Sequence, residues 1–138
     1  MRESLYSRVK VVRALNATAV ATNTATNGTA VDLDQSGADY RVATAVVLTG
    51  AYTDGTYAPK VQESPDGTTA WTDVPADRLQ GGANLTAANT HVEIGVVPDP
   101  ANKRFLRVVV TSTVVTTGAN IAALFLLGSP SSTPVVRP

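Results

Sequence analysis

Apolar and polar residues alternate along most of this chain in short runs closed by Gly, Asn, Asp or Pro. That period of two marks strands, since a helix would repeat its apolar positions every three to four residues. Valine and threonine dominate these runs, and both suit a pleated, half-buried surface. The pattern predicts strands over residues 6–15, 18–22, 30–33, 41–52, 57–64, 70–74, 91–97, 105–113 and 120–127. About nine short strands imply an all-β chain folded as an antiparallel β-sandwich of jelly-roll type, with two sheets facing each other.

Turn chemistry refines this picture. TDGT (53–56) carries an Asp-Gly pair between two strand-like runs, and TTGA (116–119) separates the last two strands. Both read as antiparallel connections. DRLQGGANLTAANT (77–90) is rich in Gly and Asn and reads as a long surface loop with a short helical turn. ALNATAVATNTATNG (14–28) alternates small and polar residues, which specifies register weakly unless a neighbour holds it. The tail GSPSSTPVVRP (128–138) has three prolines and should be extended, without core contacts of its own. The expected organisation is one domain: an N-terminal strand and arm over 1–29, a sandwich core over 30–128, and a Pro-rich C-terminal arm over 129–138. Such arms order on a neighbouring subunit.

VQESPDGTTAWTDVP (61–75) holds the chain's single tryptophan, Trp71. Pro65 presets φ and Gly67 admits a positive φ, so this stretch can reverse between two strands. Alternation puts Trp71 and Asp73 on one face and Ala70, Thr72 and Val74 on the other. The expectation is that Trp71 plugs the core or the space between sheets, the usual fate of a scarce large aromatic. The competing reading is an exposed platform for a ligand.

Charge and composition narrow the classes of function. Eleven basic and eleven acidic side chains leave a net charge of zero, so no field draws the protein to nucleic acid or anionic lipid. The absence of cysteine removes disulfides, thiolate nucleophiles and zinc-cysteine sites. IAALFLLG is the longest apolar run and is far shorter than the roughly 20 residues of a membrane span. Arg2, Glu3, Arg8, Lys10 and Arg13 interrupt the N-terminal apolar residues, which argues against a secretion signal and for synthesis in the cytoplasm. The Asn-x-Thr triplets at Asn16, Asn27 and Asn84 are then incidental in a threonine-rich chain.

Candidate chemistry is sparse. His91 is the single histidine; Ser112 or Ser64 with Asp99 or Asp73 would be its partners in a hydrolytic triad, yet no Gly-x-Ser-x-Gly elbow occurs. His91 reads as a surface residue at a strand end, and the chain is expected not to be an enzyme. Asp32, Asp34 and Asp39 offer oxygen ligands, but their spacing fits no EF-hand loop, and a solvated turn is expected. No cofactor or metal is expected. Arg104 and Arg107 flank Phe105 and Leu106 on a predicted strand, with Arg107 on the face of Phe105 and Arg104 opposite. They read either as rim charges beside a buried Phe105, or as subunit contacts whose planar forks hold a neighbour's carboxylate. Val108–Val110 and Leu124–Leu127 are apolar on both faces, as in central strands or strands covered by another subunit.

The runs from Tyr52 to Gly82 and from Lys103 to Pro130 contain a Ser-x-Asp-Gly-x-x-x-Trp hairpin, a loop with Leu-Gln-Gly, an RFLRVVV strand, a Thr-Thr-Gly turn and an apolar strand ending Gly-x-Pro. In that order they resemble a family of small head-associated proteins of tailed bacteriophages, the capsid decoration or cement proteins. The resemblance implies a structural virion protein on the capsid surface that binds the major capsid protein lattice and stabilises the head. It also implies a homo-oligomer, commonly a trimer. Candidate subunit or capsid contacts are Arg104, Arg107, Pro130, Pro134, Val135 and Val136. Two alternatives stand beside it: a carbohydrate-binding sandwich in which Trp71, Tyr52 and Tyr57 stack on sugar rings, and a tail or head-completion protein of the same virion.

Overall fold

The computed structural model describes residues 4–35 and 38–130. After one helical turn, α1 (Leu5–Arg8), the described chain forms strands β1 (Lys10–Val20), β2 (Ala25–Asn27), β3 (Val31–Asp32), β4 (Asp34–Gln35), β5 (Ala38–Tyr52), β6 (Thr56–Ser64), β7 (Thr72–Asp73), β8 (Leu79–Gly81), β9 (His91–Val96), β10 (Phe105–Thr113) and β11 (Ala119–Pro130). A 3₁₀ turn, Ala76–Arg78, precedes β8. The strands make two antiparallel sheets packed as a sandwich. One has six strands in the order β1-β11-β5-β9-β8, with β4 on β5; the other has five, β2-β10-β6-β7, with β3 on β10.

The period of two does the sorting. In β11, Ile121, Ala123, Phe125 and Leu127 are buried while Ala122, Leu124 and Leu126 between them are only half-buried. Leu106, Val108 and Val110 of β10, Tyr57 and Val61 of β6, and Ala43, Ala45 and Val47 of β5 complete the same core from both sheets. Each large side chain so buried contributes on the order of 1.5–3 kcal/mol. Phe105 is on the outer side, half-buried, because Leu106 takes the inward position.

Three expectations are corrected. Residues 10–28 are part of the body, not an arm: β1 pairs with β11 along its length, Ala14, Leu15 and Val20 are buried, and β2 pairs with β10 in the opposite sheet. The two predicted strands 6–15 and 18–22 are one strand, β1, whose register shifts between Arg13 and Leu15 and between Leu15 and Thr18. The residues at 53–56 and 116–119 do not close hairpins. β5 and β11 lie in one sheet and β6 and β10 in the other, so both connections arch from sheet to sheet. Turn residues reverse the chain, and where the next strand pairs is decided by which face it must bury.

The Asp54 carboxylate binds these two arches together. It accepts from the backbone N–H groups of Thr116 (3.2 Å), Thr117 (3.1 Å) and Gly118 (2.9 Å) and from the Thr116 hydroxyl (2.6 Å). Gly118 sits at φ +109°, with the Val20 carbonyl where a Cβ would be. The segment 77–90 is less of a loop than its composition suggests: β8 pairs with β9, and the buried Leu85 exchanges backbone hydrogen bonds with Tyr57. Gly128 and Pro130, placed in the tail by sequence, belong to β11, and Pro130 pairs with Tyr40.

Candidate binding surfaces

On the outer face of the five-stranded sheet, the Ser64–Gly67 turn joins β6 to β7, pairing Gln62 with Asp73 and Glu63 with Thr72 as the turn chemistry requires. Asp66 holds the turn by accepting from the N–H groups of Thr68 (3.0 Å) and Thr69 (2.8 Å) and from the Thr69 hydroxyl (2.6 Å). These bonds, the Thr69 hydroxyl first, hold its pKa far below the usual carboxylate range. Trp71 follows the turn half-buried and outside the core cluster, so it is not the expected plug. Val74, which faces the other way, is the residue of this hairpin that enters the core.

The Trp71 ring is covered by Arg107, whose guanidinium carbon lies 4.4 Å from the ring centroid. Arg107 also donates to Gln62 Oε1 through Nε (2.9 Å) and Nη2 (2.7 Å), and Gln62 Nε2 donates to Asp73 Oδ1 (2.8 Å). Lys60 Nζ stands 3.1 Å from the same Asp73 carboxylate. The hydrogen bond from Gln62 and then the contacts of Lys60 lower the Asp73 pKa, while burial lowers that of Arg107. A stacked and bidentate guanidinium keeps its geometry where a free side chain would sample many.

Arg104, just before β10, is held differently. It grips Asp32 of its own chain in a fork, Nε to Oδ1 and Nη2 to Oδ2 both at 2.7 Å, and leans over Phe105 at 5.5 Å from the ring centroid. The hydrogen bonds it donates to Asp32, and then the charge of that carboxylate, raise the pKa of Arg104. A carboxylate does occupy the fork, but it comes from β3 of the same chain and not from a neighbour. Of the other predicted contacts, Pro130 ends β11 half-buried, and Pro134, Val135 and Val136 lie outside the described residues.

The sugar-stacking set is not assembled. Tyr57 is wholly buried, and Tyr52 packs edge-on against it at 6.2 Å, at the opposite end of β6 from Trp71. The residues of the weighed triad are also apart. His91 is exposed at the start of β9, as expected, with Glu93 at 3.9 Å, whereas Ser112 and Ser64 belong to the other sheet and use their hydroxyls on backbone carbonyls and Asp66. Among the described residues no group of three or more His, Cys, Asp or Glu side chains is placed to hold a metal ion.

The six-stranded sheet turns a second, apolar face outward. Pairing aligns Val11, Leu126 and Thr44 in one row, Arg13, Leu124, Val46 and Glu93 in the next, and Ala122, Leu48 and His91 in a third. At one end α1 stands over the sheet with Leu5 78% and Tyr6 72% exposed, leaving an open groove of about 620 Å³ bounded also by Val42 and Gly128. Sequence reading flagged Leu124–Leu127 as apolar on both faces but missed Val42, Val46 and Leu48, whose outward position follows only from their pairing with β11. It also missed Gln62, which has no signal of its own until Arg107 is set beside it.

No known family matches the chain, and no curated protein is significantly similar to it. No helix among the described residues is long and apolar enough to cross a membrane.

Proposed function

We propose that this is a structural virion protein of a tailed bacteriophage, a decoration or cement protein that binds the major capsid protein lattice through the outer face of its five-stranded sheet. The observation that carries this reading is the Trp71–Arg107–Gln62 stack: an aromatic and an arginine, the residue types that dominate binding energy at interfaces, fixed in advance on a solvent-facing sheet. Arg104 and Phe105 extend the patch at the start of β10. We read the sandwich as a jelly roll; its support is the strand order β1-β11-β5-β9-β8 against β2-β10-β6-β7, with the chain changing sheets at β1 to β2, β5 to β6, β9 to β10 and β10 to β11, an architecture known from viral capsid and lectin domains. Stabilisation works by mass action, since a ligand of the assembled lattice alone favours it in proportion to occupancy.

The test is co-sedimentation with capsids that lack the protein, followed by heating. Saturation at a fixed ratio to the major capsid protein, a raised shell melting temperature, and weaker binding of Trp71→Ala and Arg107→Ala are expected. Absence of binding would sink the proposal. Glycan binding is the second reading, favoured by the position of Trp71 outside the core; retention on a glycan array, lost in Trp71→Ala, would select it.

A further inference from the structure

We propose that the outer face of the six-stranded sheet is a self-docking surface, on which a second copy of the chain packs about a twofold axis running parallel to the strands. Arg13 on β1, Leu124 on β11, Val46 on β5 and Glu93 on β9 are direct cross-strand partners, so their side chains share one face. Leu124 and Val46 are half-buried, while Arg13 and Glu93 at the two ends are exposed. Three strand spacings separate the ends by roughly 14 Å, too far for them to pair within one chain.

Two sheets packed face to face stand about 10 Å apart with strands nearly aligned. A twofold axis in the interface, parallel to the strands and midway between β11 and β5, exchanges the ends of the row. It sets each Arg13 over the partner's Glu93, twice per dimer, and each Leu124 over the partner's Val46. The alternative twofold, across the strands, would set Arg13 over Arg13 and Glu93 over Glu93. Charge therefore selects the first arrangement. Existing contacts do not compete with it: Arg13 Nη1 donates to the neutral Asn16 Oδ1 at 3.2 Å, and Glu93 has only the exposed His91 of its own strand at 3.9 Å among its described ionic contacts.

The flanking rows carry Val11 (53% exposed) and Leu126 beside Thr44, and Ala122 and Leu48 beside His91, while Val42 (47% exposed) stands one row beyond Val11, a largely apolar surface such as awaits cover. At the Val42 end, exposed Leu5 and Tyr6 border a groove into which the same residues of the partner can insert. The interface is isologous and closed, giving a dimer in place of the trimer that the phage resemblance implies. It uses the sheet opposite the Trp71–Arg107 patch, so it does not rest on the capsid proposal and is measured on the protein alone.

The experiment is sedimentation equilibrium on the full chain and on three charge variants, with circular dichroism as the check on folding. Wild type is expected to reach twice the 14.3 kDa chain mass at micromolar concentration. Arg13→Glu and Glu93→Arg should each weaken association by about tenfold or more, because each removes two unlike pairs and creates two like ones. The double variant R13E/E93R should regain wild-type association, since the pairs re-form with their signs exchanged. A monomeric wild type would overturn the proposal, including the case in which this face is covered only on a capsid. So would a double variant no tighter than the single ones, which would mean that Arg13 and Glu93 do not meet.

Discussion

At the residue scale, Asp54 and Gly67 show how single positions fix the path of the chain. The hydrogen bond from the Thr116 hydroxyl, and then those from the backbone of residues 116–118, lower the Asp54 pKa from 3.8 to about 2. A carboxylate whose folded pKa is depressed favours the folded state above its unfolded pKa and loses that contribution as pH falls through the folded one. Wild-type stability is therefore expected to decline between about pH 4 and pH 2, where Asp66 and Asp73 add to the same slope. Asp54→Asn should melt lower at neutral pH and show a shallower acid slope; melting temperature against pH reads both. Gly67 tests the turn beneath Trp71. It sits at φ +76°, and a Cβ there would stand 2.8 Å from the Phe105 ring. Gly67→Ala should cost about 1–3 kcal/mol in chemical denaturation, from backbone strain and from the displaced ring. The Pro-Asp-Gly signal located this turn in the sequence; that it packs on Phe105 was hidden, because the strand carrying Phe105 lies 38 residues further on.

At the scale of elements, strands were legible where packing and alternation agree. Residues 105–113 form β10 to the residue, and 41–52 and 57–64 lie within β5 and β6. Pairing was not legible. TDGT and TTGA have turn chemistry that fits a hairpin and an arch equally, and only burial of Tyr57 and Ala119 on opposite inner faces makes them arches. The expectation for Trp71 failed for a related reason: in a sandwich the outer face of a sheet is also a packing surface, and Arg107, distant in sequence, covers the ring. The junction between the sheets contains another such long-range pair. Arg78 of the 3₁₀ turn donates to the buried Glu63 at 2.6 Å and to the Val97 carbonyl at 3.1 Å, tying β6 to the end of β9. Arg78→Ala strands a carboxylate only 5% exposed and should cost about 2–3 kcal/mol, since Arg78 keeps some contact with water. Replacing both partners by methionine should recover much of that loss, because a buried pair and an apolar pair of similar volume differ little. Denaturant midpoints of the two variants decide it: a double variant as unstable as Arg78→Ala would mean that packing around the Arg78 stem, not the stranded charge, sets the cost.

At the scale of the whole molecule, the question is where the body ends. Composition suggests an N-terminal strand and arm over 1–29, since ALNATAVATNTATNG alternates small and polar residues that specify register weakly. The fold uses that smallness. Ala14 is wholly buried where its carbonyl accepts from Thr29 (2.7 Å), and Gly28 donates to the Val108 carbonyl of the opposite sheet (2.7 Å), so the segment stitches the two sheets at a spacing that larger side chains would not allow. β1 is also an edge strand whose register shifts discourage further pairing. Truncation separates the two descriptions. Removing residues 1–9 takes away α1, which has no buried residue, and should shift the melting temperature little. Removing residues 1–20 also takes β1 and its buried Ala14, Leu15 and Val20, and it exposes the β11 edge; the product is expected to lose cooperative unfolding or to aggregate. A 1–20 deletion that still melted cooperatively near the wild-type temperature would show that the sandwich closes without β1, and residues 10–20 would then be the arm that their composition suggests.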